Sequence, residues 1–121
     1  MGSIHGLEKL RAVTGNESFQ GFSQVNSLTF ADDEQGYSLI LVLENETPSA
    51  KVQLAMRFTH VIDLRLREFG GKPTQITGFD VRDVSSRQLD GIGFEAVDFE
   101  NDRIRFFCKF AEILTVERIQ H

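Results

Sequence analysis

The sequence predicts a mainly β (α+β) fold: a curved, mostly antiparallel sheet of six to eight strands, a sandwich or a partly open barrel, with one short N-terminal helix. Three observations carry this. From Val25 onward apolar residues recur with a period of two, the repeat of a half-buried strand. Clusters of Gly, Pro, Asn and Asp interrupt those runs at short intervals. The long amphipathic crossovers that a parallel sheet requires are missing, so consecutive strands are expected to pair antiparallel.

The N-terminal segment reads as a helix. Ile4, Leu7, Leu10 and Val13 return every three residues, with Glu8 early, Lys9 and Arg11 late, and Gly15 placed to end it. Gly6 inside such a helix costs about 1 kcal/mol relative to Ala. The apolar stripe should cover a sheet. Val25 to Phe30 and Tyr37 to Glu44 then read as strands joined by a turn through Asp32, Asp33 and Glu34 to Gly36. Leu39 to Leu43 is apolar at both parities, which predicts a central strand covered on both faces.

Between Ala50 and Glu68 one parity is apolar (Val52, Leu54, Met56, Phe58, Ile62, Leu64, Leu66). The other carries Lys51, Gln53, Arg57, Asp63, Arg65 and Arg67. A tight hairpin at Thr59-His60 would oppose Met56 to Asp63 and mix apolar with charged side chains on each face. An unbroken strand of this length, at about 3.3 Å per residue, outruns so small a domain. The expectation is therefore a curved strand, or two collinear strands with a kink near His60. Gly70 to Pro73 reads as a turn and Gln75 to Asp83 as a strand, with a bulge at Gly78 where the parity slips between Ile76 and Phe79. Ser85 to Gly91 reads as a loop. The last hairpin is expected to turn on Asn101-Asp102, which opposes Glu100 to Arg103, Asp98 to Arg105, Phe99 to Ile104 and Val97 to Phe106. Thr115 to Ile119 adds a strand or continues the previous one.

Composition narrows the function classes. A chain of 121 residues is expected to form one domain, 1–121, and to fold without a disulfide or structural metal. Its eleven Phe, one Tyr and no Trp suit a core packed without hydrogen-bonding obligations. A net charge of −5 disfavours a nucleic-acid role and suits either a basic protein partner or plain solubility. No apolar run is long enough to span a membrane and no signal segment is evident, so a cytoplasmic protein without membrane contact is expected.

Chemistry is sparse. There is no Gly-x-Ser-x-Gly elbow, and Cys108 alternates with Phe106 and Phe110, which predicts a buried, inert thiol. His5, His60 and His121 are too dispersed to share a metal through local geometry, and Gly70-Gly71-Lys72 runs into Pro73 rather than a helix. Neither a cofactor nor a metal is expected. Two residues break the pattern. His60 sits in the inward row between Phe58 and Ile62, and Glu95 shares the face of Val97 and Phe99 and should lie opposite Cys108. A buried carboxylate near a histidine is a general acid/base arrangement; alternatively each marks a bend or sheet end where the side chain reaches water.

The runs Met56-Arg57-Phe58-Thr59-His60-Val61-Ile62-Asp63-Leu64, Ile76-Thr77-Gly78-Phe79-Asp80-Val81 and Arg103-Ile104-Arg105-Phe106-Phe107-Cys108-Lys109-Phe110-Ala111-Glu112-Ile113 resemble a small β-rich group of immunity proteins from bacterial polymorphic-toxin systems, over residues 50–115. The resemblance implies a protein that binds and blocks a cognate toxin without catalysis of its own. The acidic balance suits a basic toxin domain. The contact charges would be Asp32, Asp33, Glu34, Glu44 and Glu46 if those two turns share one end of the sheet. A carrier of a small apolar ligand and an enzyme using His60 or Glu95 stay open as readings. The exposed row with Arg57, Arg65 and Arg67 marks either an edge guarded by charge or a surface that pairs with a second copy as a homodimer.

Overall fold

The computed structural model describes residues 4–19, 21–34, 36–45, 51–67, 74–76, 78–84, 93–100 and 102–119. Among them the order is α1 (Leu7–Thr14), β1 (Phe22–Asp33), β2 (Gly36–Asn45), β3 (Lys51–Thr59), β4 (Ile62–Leu66), β5 (Thr74–Gln75), β6 (Phe79–Asp83), β7 (Phe94–Asp98), β8 (Ile104–Cys108) and β9 (Phe110–Ile119). Nine strands exceed the six to eight expected because two long runs are each broken by a bend and β5 is only two residues long. The expected loop at 85–91, the turn at 70–73 and Asn101 lie outside the described residues.

The strands form a five-stranded sheet, ordered β5-β1-β2-β3-β9, and a four-stranded sheet, ordered β4-β8-β7-β6. Every strand pairing is antiparallel. β3 pairs with β9 in one sheet, while their chain neighbours β4 and β8 pair in the other. One bent two-stranded ribbon therefore serves both sheets, the corner device of packed sheets whose strands change layer. At one corner His60 takes φ 57 and Asp63 φ 54, left-handed values that His and Asp tolerate better than most side chains. The kink expected near His60 is this corner.

The core lies between the sheets. β2 contributes Leu39, Leu41 and Leu43, β3 contributes Leu54, Met56 and Phe58, and β8 contributes Ile104, Phe106 and Cys108, all fully buried. Phe58 and Phe106 meet edge to face across the two sheets, 4.8 Å between centroids at 76°. Phe79, also fully buried, meets Phe19 at 6.3 Å. These phenylalanines fill the interior.

The helix forms where its three-residue stripe predicts. Gly15 ends it in the left-handed region (φ 85), donating its N–H to Arg11 O, and Leu10 is buried in the common core. Gly6, expected inside the helix, instead caps its start with φ 90, and a Cβ there would stand 2.9 Å from Ile113 O on β9. Gly6→Ala is therefore expected to destabilise the fold by about 1–3 kcal/mol, through an unfavourable φ and a backbone clash. Urea midpoints of the two proteins would check it; an unchanged midpoint would contradict the close packing of this segment on β9.

Among the described residues the edge strands β9, β5, β6 and β4 each carry a local guard, while β1 pairs with the short β5 only at Gln24 and Val25. His5 forms a parallel bridge along β9, donating to Ala111 O at 3.1 Å and accepting from Ile113 N at 2.7 Å. On β5, Arg103 donates to Gln75 O at 2.7 Å. On β6, Asp80 Oδ1 takes the N–H of Val81 at 2.9 Å. The fourth edge, β4, has a register shift at its left-handed Asp63 and exposes Arg65, as an edge guarded by charge and a bulge should. Arg57, by contrast, lies on the interior strand β3 and donates twice to Glu112.

Four expectations are corrected. β2 is central, but only one of its faces is buried: Ile40 and Val42 are half-exposed, because α1 packs beside β9 rather than over that face. Beyond the corner the inward row of β4 is lost, and Ile62 and Leu66 are exposed while Val61 is buried, because the left-handed residues rotate the chain. The break at Gly78 (φ 73) is a passage between sheets, β5 lying in one and β6 in the other. Finally, the β7–β8 hairpin is one residue out of the expected register, with Val97 opposite Arg105 and Ala96 opposite Phe106. Asp98 causes this slip. Its Oδ1 accepts from Arg103 N at 2.7 Å and Ile104 N at 2.9 Å, and its carbonyl accepts from Asp102 N, so the connection spans Phe99–Arg103.

Candidate protein-recognition site

Three of the exposed aromatic rings, Phe30, Tyr37 and Phe110, stand at one end of the five-stranded sheet. Phe30 on β1 lies opposite Leu39 on β2, and Asp32 lies opposite Tyr37, so Phe30 and Tyr37 are diagonal neighbours on one face. Their rings stack 4.8 Å apart at 16°. Further along β2 that face is buried by Leu39 and Leu41, but here the rings are 41% and 49% exposed. Asp32 and Glu34 stand exposed at the same hairpin tip.

The corner residue His60 adjoins this stack. Its Nδ1 lies 3.5 Å from the position a Cβ on Gly36 would take, and the next residue, Val61, donates to Tyr37 O at 3.0 Å. Its ring centroid lies 6.5 Å from that of Phe110, which is 50% exposed with Lys109 Nζ 5.5 Å from its ring. The result is two ring pairs at one end of the sheet: Phe30–Tyr37 beside Asp32 and Glu34, and His60–Phe110, whose phenylalanine lies opposite Thr59 on the other face beside Lys109. Large rings lose little rotamer freedom on contact and supply most binding energy at protein interfaces, while acidic neighbours select a basic surface.

Sequence reasoning named Asp32 and Glu34 as contact charges and His60 only as a pattern-breaking residue, and it missed Phe30, Tyr37 and Phe110. Two signals were available: Phe30 and Tyr37 flank the acidic turn, where strands outrun the core, and Phe110 follows the Lys109 bend. Of the other acidic candidates only Glu44 has a described side chain, and it does not join this end. Asp33 pairs through its backbone with Gly36, its side chain lying outside the described residues, as does Glu46. Glu44 sits at the other end of β2, eight residues from Gly36 and so about 26 Å away. There it accepts from Asn26 at 2.7 Å and meets Lys51 at 3.4 Å. The condition that both turns share one end is not met, because a hairpin strand carries its two turns at opposite ends.

Glu95 lies on the outer face of the four-stranded sheet, opposite Phe107 rather than Cys108, as the register slip requires. It is 6% exposed and accepts from Arg105 Nη2 at 3.0 Å. Among the described residues no hydrogen bond or ion pair joins it to His60, so the two do not form an acid/base pair. Nor does any group of three His, Cys, Asp or Glu there stand close enough to hold a metal. Cys108 is fully buried, and burial pushes its thiol up to about 12. No helix among the described residues is long and apolar enough to cross a membrane.

The buried carboxyl with an unspent atom is Asp98. Burial raises its pKa above the usual 3.8, a rise opposed by the N–H groups of Ile104 and Arg103, and its Oδ2 has no hydrogen-bond partner. An acid whose folded pKa is raised stabilises the fold below its unfolded pKa, and that contribution is lost as pH rises through the folded value. Asp98→Asn keeps an acceptor for both N–H groups without a titratable charge. Its stability relative to the parent is therefore expected to improve between about pH 3 and about pH 7. Denaturant midpoints at the two pH values test this, and a difference that is constant or of opposite sign contradicts it.

The fold defines a mainly β protein of two antiparallel sheets with half-exposed aromatic rings at one end of the larger sheet. More particularly, the chain belongs to the family described as Immunity protein PIM8, whose model matches residues 14–113, that is 100 of its 121 residues. That range extends the resemblance read over residues 50–115 back through β2, β1 and the end of the helix. No curated protein and no solved structure matches the chain.

Proposed function

We propose that the chain is a non-enzymatic immunity protein that binds a cognate bacterial toxin in the cytoplasm and blocks it, taking a basic toxin surface onto the aromatic and acidic end of its five-stranded sheet. The observation that carries this is the stacked, half-exposed Phe30–Tyr37 pair beside Asp32 and Glu34, with His60 at the adjoining Gly36. Family membership supplies the role; the end of the sheet supplies a surface suited to it. The rings provide area and the carboxylates speed encounter with a positive partner.

Co-expression with a candidate toxin domain, sought among the neighbouring genes, tests the role. Growth is expected to recover and the two proteins to co-purify; a toxin equally lethal with and without the chain would end the proposal. The charge component has its own readout. Association should slow with added salt, and more weakly so for an Asp32→Asn, Glu34→Gln protein. A salt-independent rate would remove the basic surface from the proposal while leaving the toxin in it.

A further inference from the structure

The outer face of the four-stranded sheet holds a second, differently charged feature. Arg82 on β6, Glu95 and Val97 on β7, Phe99 and Asp102 in the following connection and Arg105 on β8 line a surface hollow of about 430 Å³. Arg82 and Glu95 are direct cross-strand neighbours. Yet Glu95 pairs with Arg105, on its other side. Arg82 makes no hydrogen bond or ion pair among the described residues; its guanidinium carbon stands 3.9 Å from the centre of the Phe99 ring. Ring contact holds the side chain in place while its five N–H donors remain unspent.

The surroundings narrow what those donors can take. Val97 is almost fully buried and gives an apolar floor, and Phe99 is 44% exposed. Arg105 offsets Glu95, so Arg82 is the one guanidinium on this face of the hollow without an anion. Asp102 is exposed at the rim, and the buried Asp98 lies beside it. A doubly charged phosphate would face three carboxyl groups. A singly charged carboxylate on a short apolar stem matches one free guanidinium fork above an apolar floor.

We propose that this hollow receives the carboxylate side chain of an Asp or Glu of a bound protein, with both oxygens on Arg82 and the stem against Val97 and Phe99. That this protein is the toxin rests on the function proposed above; the chemistry of the hollow does not. A complex using both surfaces would present a basic patch to one end of the immunity protein and an acid to the face of its other sheet, which fixes orientation.

The test uses the full chain, labelled for amide NMR and titrated with N-acetylglutamate N-methylamide, its glutamine analogue and inorganic phosphate. The glutamate compound is expected to give saturable shifts at Arg82, Val97, Phe99 and Arg105, and the glutamine compound none. Arg82→Gln should abolish the shifts, and Arg82→Lys, which keeps the charge but loses the fork, should weaken binding about tenfold. Absence of saturable shifts, equal shifts from the glutamine compound, or tighter binding of phosphate would each overturn the inference. A chain that neutralises its toxin but ignores the glutamate probe refutes the hollow alone; one that binds the probe but fails to neutralise refutes the toxin role alone.

Discussion

Replacing Tyr37 by Ala is expected to weaken toxin binding by at least about 2 kcal/mol, or about thirtyfold in Kd, with the fold retained. Tyr37 is half-exposed, so its truncation opens no cavity in the core. What it removes is an aromatic plane, a hydroxyl and the stacking partner of Phe30. The stacked pair contributes about 0.5–1.5 kcal/mol beyond the area it buries, so stability should fall by that amount plus the smaller transfer energy of a half-exposed ring. Phe30→Ala should behave alike, and because each ring supports the other, the double variant should lose less affinity than the two single losses added together. Calorimetric titration with the toxin domain, beside a urea curve for each variant, separates binding from stability. A Tyr37→Ala protein with unaltered affinity would exclude the hairpin end from the interface.

The largest effect on stability is expected from Phe106→Ala, a loss of about 3–5 kcal/mol. Phe106 is fully buried on β8 and touches Phe58 of β3 across the two layers. Truncation forfeits the transfer energy of the ring and leaves a void between sheets that share one bent ribbon and so have little freedom to close over it. Against a total of about 5–15 kcal/mol for a domain, that is a large share. Phe106→Leu, which keeps most of the volume, should cost much less. Urea unfolding measures both. A Phe106→Ala loss below about 1 kcal/mol would show that the layers repack freely.

Much of the fold was legible in the sequence because its signals are local. The three-residue stripe before Gly15 specifies α1, and the acidic turn between two apolar runs specifies β1 and β2. The clash a hairpin at Thr59-His60 would create pointed to a bend, which the structure supplies with left-handed backbone at His60. The β7–β8 register was not legible. The expected pairing of Asp98 with Arg105 and Glu100 with Arg103 was chemically consistent, but exposed cross-strand pairs contribute only about 0.2–1 kcal/mol each. A buried Asp98 accepting two backbone N–H bonds competes with more, since bonds to a charged acceptor contribute about 1.5–3 kcal/mol. One residue of slip then turned Glu95 from the core to the outer face. The recognition site was half legible. Charge in a turn shows in the sequence. Exposure of a phenylalanine does not, because it depends on where the opposing sheet stops covering β1 and β2.

The guarded sheet edges bear on how finely this protein can discriminate. A complex formed by adding a strand to an open edge is held largely by main-chain hydrogen bonds, which every sequence can supply, and it tolerates divergent partners. With β9 bridged by His5, Gln75 capped by Arg103, Val81 capped by Asp80 and β4 bulged at Asp63, that indiscriminate mode is obstructed at these points. Where edges are obstructed, recognition falls to surface side chains, where exchanging a ring or reversing a charge alters partner preference without disturbing the frame. Such a scaffold can follow a changing antagonist one substitution at a time.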